Sequence, residues 1–145
     1  IDQTTGNSVL DAAISFKAVE CKNRVIRFEY SLQTLPNLFI DSVDISSIIT
    51  NLLDNAIEAA SKTSAPWISL KVLMHGNYLS VIVQNTYINN VITSDKGDLK
   101  STKDASNEHG YGTQIIDQIA QKYDGDFIWK SSNGIFQANV ILKNI

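Results

Sequence analysis

Apolar positions recur at helical spacing in three stretches of the chain and at strand spacing in several others. The helical stretches are residues 8–22, 42–62 and 112–123. In the first stretch, Val9, Ala13 and Phe16 fall on one side, and we expect that side to face the core. The second stretch starts after Asp41, a favourable N-cap, and the third ends before Gly125, a residue type that often closes helices.

The second and third helical stretches have well-defined apolar faces. At about 100° per residue, the apolar side chains of the second share one face, namely Ile45, Ile49, Leu52, Leu53, Ala56 and Ala60. The corresponding residues of the third are Ile115, Ile116, Ile119 and Ala120. We expect both faces to be buried.

The remaining regular pattern predicts strands that come in hairpin pairs. Strands are predicted over residues 24–32, 67–73, 78–84, 127–130 and 135–142. One hairpin turns at His75 to Asn77, and the other turns at Asn133 and Gly134, a strong turn pair. Because the helices are separate from the hairpins, we predict an α+β sandwich. It has a mixed, largely antiparallel sheet with helices packed on one face. The predicted order of elements fits poorly with the alternation of strands and helices in a Rossmann fold.

Length and charge narrow the function classes. The 145 residues suit one domain, and 12 basic against 15 acidic residues give a net charge of −3. Bulk electrostatic affinity for nucleic acid is therefore not expected. Cys21 is the only cysteine, which excludes an internal disulfide. No apolar run approaches the roughly 18 residues of a membrane span, and the start at Ile1 suggests a piece of a longer protein.

A polar stripe follows the second helix on the side opposite its apolar face. It consists of Asn51, Asp54, Asn55 and Glu58, and spacings of three, four and seven residues bring these groups together. Amide and carboxylate oxygens are hard ligands that suit Mg²⁺. The alternative is a solvated helix face, although two asparagines inside a helix are unfavourable without a reason.

Two further features suit a phosphate ligand. Gly110, Tyr111, Gly112 and Thr113 are predicted to form a turn directly before the third helix, whose N-terminus would offer free N–H groups. The stretch before it, residues 85–109, has no periodicity, and stretches of this length are often lids or binding loops. A simple turn and a solvated loop are the alternatives.

Several stretches resemble motifs of the GHKL ATP-binding fold. Its N-box is similar to NLLDNAIEAA (residues 51–60), and its glycine box is similar to NEHGYGTQIIDQIAQKYDGDF (residues 107–127). Two others, STKDASNEHGYG and TGNSVLDAAISFK, resemble a narrower group, the peptide-quorum-sensing sensor histidine kinases. The resemblance covers nearly the whole chain.

The resemblance implies roles for individual residues. Asn55 would be the Mg²⁺ ligand, and Asn51 would be its catalytic neighbour at the phosphate end. Hydrolysing members of the superfamily have a glutamate in the place of Asn51, and an asparagine cannot act as a general base. This difference favours phosphoryl transfer over hydrolysis. The other nucleotide-binding residues implied are Glu58, Lys103, His109, Gly110, Tyr111, Gly112 and Thr113.

The adenine pocket departs from the usual pattern of the superfamily, an Asp followed by two spaced glycines. Here the strand ends at Asn85, and Tyr87 and Asn89 stand in the places of the glycines. The carboxamide oxygen of Asn85 can still accept a hydrogen bond from the adenine amine. The loss of the glycines is similar to the pattern of the quorum-sensing group.

The resemblance implies that residues 1–145 are the ATP-binding catalytic domain of a protein histidine kinase, with a lid over about 86–108. Its ligands would be ATP and Mg²⁺. Its partners would be its own dimerisation and phosphoacceptor domain and a response regulator, in a membrane-anchored homodimer with this domain in the cytoplasm. Neither His75 nor His109 is expected to be the phosphoacceptor. The alternatives are a GHKL ATPase with a conformational cycle and a degenerate, non-catalytic nucleotide-binding module.

Overall fold

The computed structural model describes residues 2–88 and 107–145, except for the side chains of residues 107–111. In chain order, the elements are α1 (Ser8–Asn23), β1 (Arg27–Leu32), α2 (Ser42–Ala60), β2 (Trp67–His75), β3 (Tyr78–Thr86), α3 (Asn107–Lys122), β4 (Asp126–Ser132) and β5 (Ile135–Lys143). This order of helices and hairpins confirms the predicted one. Most of the predicted lid lies outside the described residues.

The strands form one five-stranded sheet in the order β1-β2-β3-β5-β4. β1 pairs with β2 in parallel, because α2 carries the chain across the sheet between them. The other three pairings are antiparallel. The predicted mixed, largely antiparallel sheet is therefore confirmed.

The core lies between the helices and one face of the sheet. In β3, the buried residues alternate along the strand, as expected when one face is covered, and they are Leu79, Val81, Val83 and Asn85. All six residues of the predicted apolar face of α2 are buried, together with Ile48 and Ile57. α2 therefore lies over the centre of the sheet, and its polar side remains at the surface of the helical layer.

The predicted inner face of α1 is wrong. Leu10, Ile14 and Cys21 point into the core, whereas Val9 and Phe16 are exposed, Phe16 by 74%. The helix has apolar residues on two sides, so spacing alone does not select one. Packing against α2 and β1 makes the selection.

β1 begins three residues later than predicted, because the exit from α1 occupies the intervening residues. Ile26 N donates to Cys21 O at 2.8 Å, and Val25 N donates to Lys22 O at 3.1 Å. Val25 stands in the left-handed region with φ 57°, at the position where glycine usually closes a helix. For a residue with a Cβ this conformation costs roughly 1–2 kcal/mol.

The edge of β1 is covered by the N-terminal segment. Gln3 Nε2 donates to Tyr30 O at 3.3 Å, and Gln3 Oε1 accepts from Leu32 N at 2.7 Å. One side-chain amide therefore satisfies a backbone acceptor and a backbone donor on the outer side of the strand.

α3 ends in a second tight exit, as predicted from Gly125. Asp124 takes the left-handed conformation with φ 52°, and Gly125 N donates to Ala120 O at 2.8 Å. A Cβ on Gly125 would lie 1.8 Å from Ile141 O on β5. The β4–β5 hairpin turns at Asn133 and Gly134, both with positive φ, which also confirms the prediction.

Asp44 links the start of α2 to the end of α3. Its carboxylate accepts from Tyr123 Oη at 2.5 Å and from Lys122 Nζ at 2.9 Å. Two hydrogen bonds lower the pKa of Asp44 below its ordinary value of 3.8. The larger effect comes from Tyr123 and the smaller from Lys122.

Tyr123→Phe should lower the free energy of unfolding by about 1 kcal/mol at pH 7, because a hydrogen bond to a charged acceptor is lost. The pKa of Asp44 is lower in the folded protein than in the unfolded chain. Its contribution to stability is therefore fully present above the unfolded-state pKa and is lost as the pH falls through the folded-state pKa. The difference between the two proteins should shrink over that acidic range in urea titrations at a series of pH values. Tyr78→Phe, at an exposed tyrosine, is the control and should show no such trend.

Candidate functional site

Two asparagines on α2 form the centre of the site. Asn51 and Asn55 are four residues apart and half-buried, so their amides share one face of the helix. Asn51 Nδ2 donates to Ser47 O at 2.8 Å and lies 3.4 Å from Ser47 Oγ. Ser47 thus fixes the orientation of the Asn51 amide. The sequence patterns did not predict this contact, because its shorter hydrogen bond is to a backbone carbonyl, which any residue at position 47 would supply.

α3 brings Gly112 against these two amides. A Cβ on Gly112 would lie 3.1 Å from Asn51 Oδ1 and 3.9 Å from Asn55 Oδ1. The absence of a side chain therefore lets the backbone of α3 lie close to both amide oxygens, where a Cβ would crowd Asn51. Residues that are far apart in sequence, in the predicted polar stripe and in the glycine segment, meet at this point.

The prediction that Gly110 and Gly112 form a turn directly before the third helix is wrong. α3 already begins at Asn107 and contains both glycines. Glycine inside a helix costs up to about 1 kcal/mol, and packing of α3 against α2 offsets this cost. The N–H groups left without helical partners are consequently those at the start of the helix near Asn107, including that of His109. The side chains of His109 and Tyr111 are not among those that the structure describes. Thr113 is half-buried.

The two carboxylates of the predicted stripe, those of Asp54 and Glu58, are exposed on α2. Asp54 forms an ion pair with Lys17 of α1, which also binds Glu20 at 3.1 Å. Burial opposes the charge of Lys17, but the hydrogen bonds to Asp54 and Glu20 outweigh it and raise the pKa of Lys17. Asp54 therefore joins α2 to α1. Glu58 is exposed, three residues beyond Asn55 on α2.

Asn85 lies at the end of β3, in the row of buried residues beneath α2, and is 2% exposed. Its Nδ2 donates to Thr86 O at 2.8 Å, so the other polar atom of its amide is the acceptor Oδ1. Thr86 Oγ1 lies 3.1 Å from Thr63 Oγ1 and accepts from Trp67 N at 3.1 Å. These bonds hold the end of β3 between the loop after α2 and the start of β2.

The chemistry available to the amide pair is ligation and hydrogen bonding. Neither asparagine can take up a proton as a general base. Burial raises the pKa of Cys21 to about 11, so its thiol is a poor nucleophile. Among the side chains that the structure describes, no group of three or more from His, Cys, Asp or Glu could hold a metal ion. Lys103 lies outside the described residues.

No helix in the described part of the chain is long and apolar enough to cross a membrane.

Comparisons with known proteins identify the family of the chain and solved structures that share its fold. The family model described as a GHKL domain matches residues 40–143, and no curated protein matches the chain significantly. The catalytic domain of histidine kinase ThkA superposes with a TM-score of 0.71 at 17% identity, covering 97% of this chain and 93% of that one. Acinetobacter baumannii histidine kinase AdeS gives a TM-score of 0.67 at 14% identity, with 92% and 64% covered. Full-length ShkA in complex with AMPPNP gives 0.71 at 14% identity, with 95% and 30% covered. At these identities the structural likeness concerns the fold.

Proposed function

Because the chain belongs to the GHKL domain family, we propose that it is the ATP-binding catalytic domain of a protein histidine kinase. The observation that carries the proposal is the approach of Gly112 to the amide oxygens of Asn51 and Asn55. It brings a helix backbone close to two hard oxygen ligands, which in the proposed complex would face the phosphate chain. The AMPPNP complex of ShkA supports a nucleotide as the ligand.

The donor set fits Mg²⁺, which takes few protein ligands and prefers oxygen. Asn55 Oδ1 is the proposed ligand, and Asn51 lies beside it at the phosphate end. When bound, the ion would neutralise charge on the phosphates. Asn85 Oδ1 would accept from the adenine amine. The other proposed nucleotide-binding residues are Glu58, Lys103, His109, Gly110, Tyr111, Gly112 and Thr113.

The proposed reaction is transfer of the γ-phosphoryl group to a histidine on a separate dimerisation domain. Such transfers depend mainly on positioning and charge neutralisation, which amides and a helix backbone can supply. Hydrolysis needs a water-activating base, and asparagine at position 51 supplies none. The domain would present the nucleotide, while the acceptor domain supplies the nucleophile.

The remaining proposals concern the whole protein. The chain spans 30% of full-length ShkA and 64% of the AdeS chain, so further domains belong to those kinases. We infer a homodimeric, membrane-anchored sensor with this domain in the cytoplasm and a response regulator as its downstream partner. The peptide-quorum-sensing group is the proposed subgroup, supported by the sequence around the glycine segment.

The test is incubation with γ-labelled ATP and Mg²⁺. Alone, the chain should acquire no acid-labile phosphate, because neither of its histidines is expected to be the acceptor. It should release little free phosphate, because asparagine at position 51 cannot act as a base. With the dimerisation domain of its own kinase added, the label should appear on that domain. Robust phosphate release by the chain alone would instead favour a GHKL ATPase, and binding without either reaction would favour a non-catalytic module.

A further inference from the structure

A cleft lies at the junction of α1, β1 and β2. None of its lining residues belongs to the amide pair or to α3. The cleft has a volume of about 570 Å³ and is open to solvent over much of its extent. Its lining residues are Lys22, Val25, Ile26, Arg27, Ala65, Pro66 and Trp67. The wall therefore combines apolar side chains, one indole ring and two cations.

Val25 adds little to the stability of the folded state. Its side chain is 82% exposed, so it buries little apolar surface on folding. Its backbone is in the left-handed region, with φ 57°, where a β-branched residue is strained. Strain of this kind is typical of functional positions. The isopropyl group at the rim of the cleft is therefore available for contact with a bound molecule.

The two cations of the cleft are accessible to a ligand. Lys22 is exposed and forms no ion pair within the described part of the chain. Arg27 pairs with Glu29 at 2.7 Å, and both side chains are largely exposed. An exposed pair of this kind contributes little, so an incoming anion can replace it. Arg27 also stands directly beside Trp67 in the parallel register of β1 and β2.

We propose that this cleft binds a small amphiphilic anion. Its apolar or aromatic body would lie against Trp67 and Val25, and its anionic group would be held by Lys22 and Arg27. Charge-assisted hydrogen bonds would orient the ligand, and the apolar contacts would exclude water from them. The assignment is independent of the nucleotide site.

The test uses Trp67 fluorescence in a Trp129→Phe background, in which Trp67 is the single tryptophan. The probes are 4-phenylbutyrate and phenyl phosphate, with 4-phenylbutan-1-ol as the neutral counterpart. At least one anion should give a saturable change, and the alcohol should give none at the same concentrations. Lys22→Gln should weaken anion binding at least about fivefold. Lys130→Gln removes the same charge from β4, far from the cleft in strand order, and should leave binding unchanged.

Val25→Gly distinguishes loss of a ligand contact from loss of folding, because stability should rise while anion affinity falls. The unfolding midpoint should rise by about 3 °C as backbone strain is relieved. Anion affinity should fall about fivefold as the apolar contact is lost. The proposal is overturned if neither anion saturates, if the alcohol binds as well as the anions, or if Val25→Gly and Lys22→Gln bind the anion like the unsubstituted protein.

Discussion

Asn55→Ala should weaken Mg²⁺-dependent binding of ATP at least about 100-fold, since loss of a residue that merely supports a metal ligand already costs 10–100-fold. The substitution removes the amide oxygen that lies 3.9 Å from the position that a Cβ on Gly112 would take. Helix α2 should persist, because alanine is the better helix former. Calorimetric titration with AMPPNP, with and without Mg²⁺, measures the effect, and circular dichroism verifies the fold.

Asp54→Ala is the matched control on the neighbouring residue. It removes a carboxylate from the same turn of α2, but that carboxylate binds Lys17 on α1. Nucleotide affinity should therefore stay within about twofold of the unsubstituted protein, with only a small loss of stability. Unchanged Mg²⁺-dependent affinity in a folded Asn55→Ala protein, or an equal loss in both variants, would contradict the assignment of Asn55.

Gly125→Ala should destabilise the domain by more than about 3 kcal/mol, because the added Cβ would lie 1.8 Å from Ile141 O. The neighbouring atoms belong to the backbone of β5, which cannot move without disturbing the pairing of β4 with β5. The unfolding free energy in urea measures the loss.

Gly76→Ala tests the other physical reason for a glycine, which is a backbone conformation with positive φ. Gly76 has φ 64°, but a Cβ there would meet no atom within 4 Å. Only backbone strain is added, so the loss should be about 1 kcal/mol. Equal losses at the two positions would show that the close approach at Gly125 is not what limits substitution.

Local sequence patterns predicted the parts of the fold where the pattern of residues is compatible with a single structure. In α2, the apolar residues occupy a single face, and that face is buried as predicted. Asp41 caps the helix by accepting from Val43 N at 2.9 Å. Asn133 and Gly134 likewise specify a tight turn by their own conformational preferences. Here local and tertiary preferences agree.

Tertiary contacts decided the features that sequence patterns missed. The choice between the two apolar sides of α1 depends on α2 and β1, which follow later in the chain. The ion pair of Asp54 with Lys17 spans 37 residues and leaves no local signal. The glycine segment looks like a turn because glycine disfavours helix, yet contact with α2 stabilises the helical form. The meeting of Gly112 with Asn51 and Asn55 was implied only by the family resemblance.

The hydrogen bonds of Gln3 also affect how copies of this domain behave in a concentrated solution. β1 is an edge strand, and an exposed edge invites pairing with a strand of another molecule and subsequent aggregation. Gln3 occupies the carbonyl of Tyr30 and the N–H of Leu32, two groups that an added strand would need. A single side chain near the N-terminus thus protects this edge of the sheet against self-association.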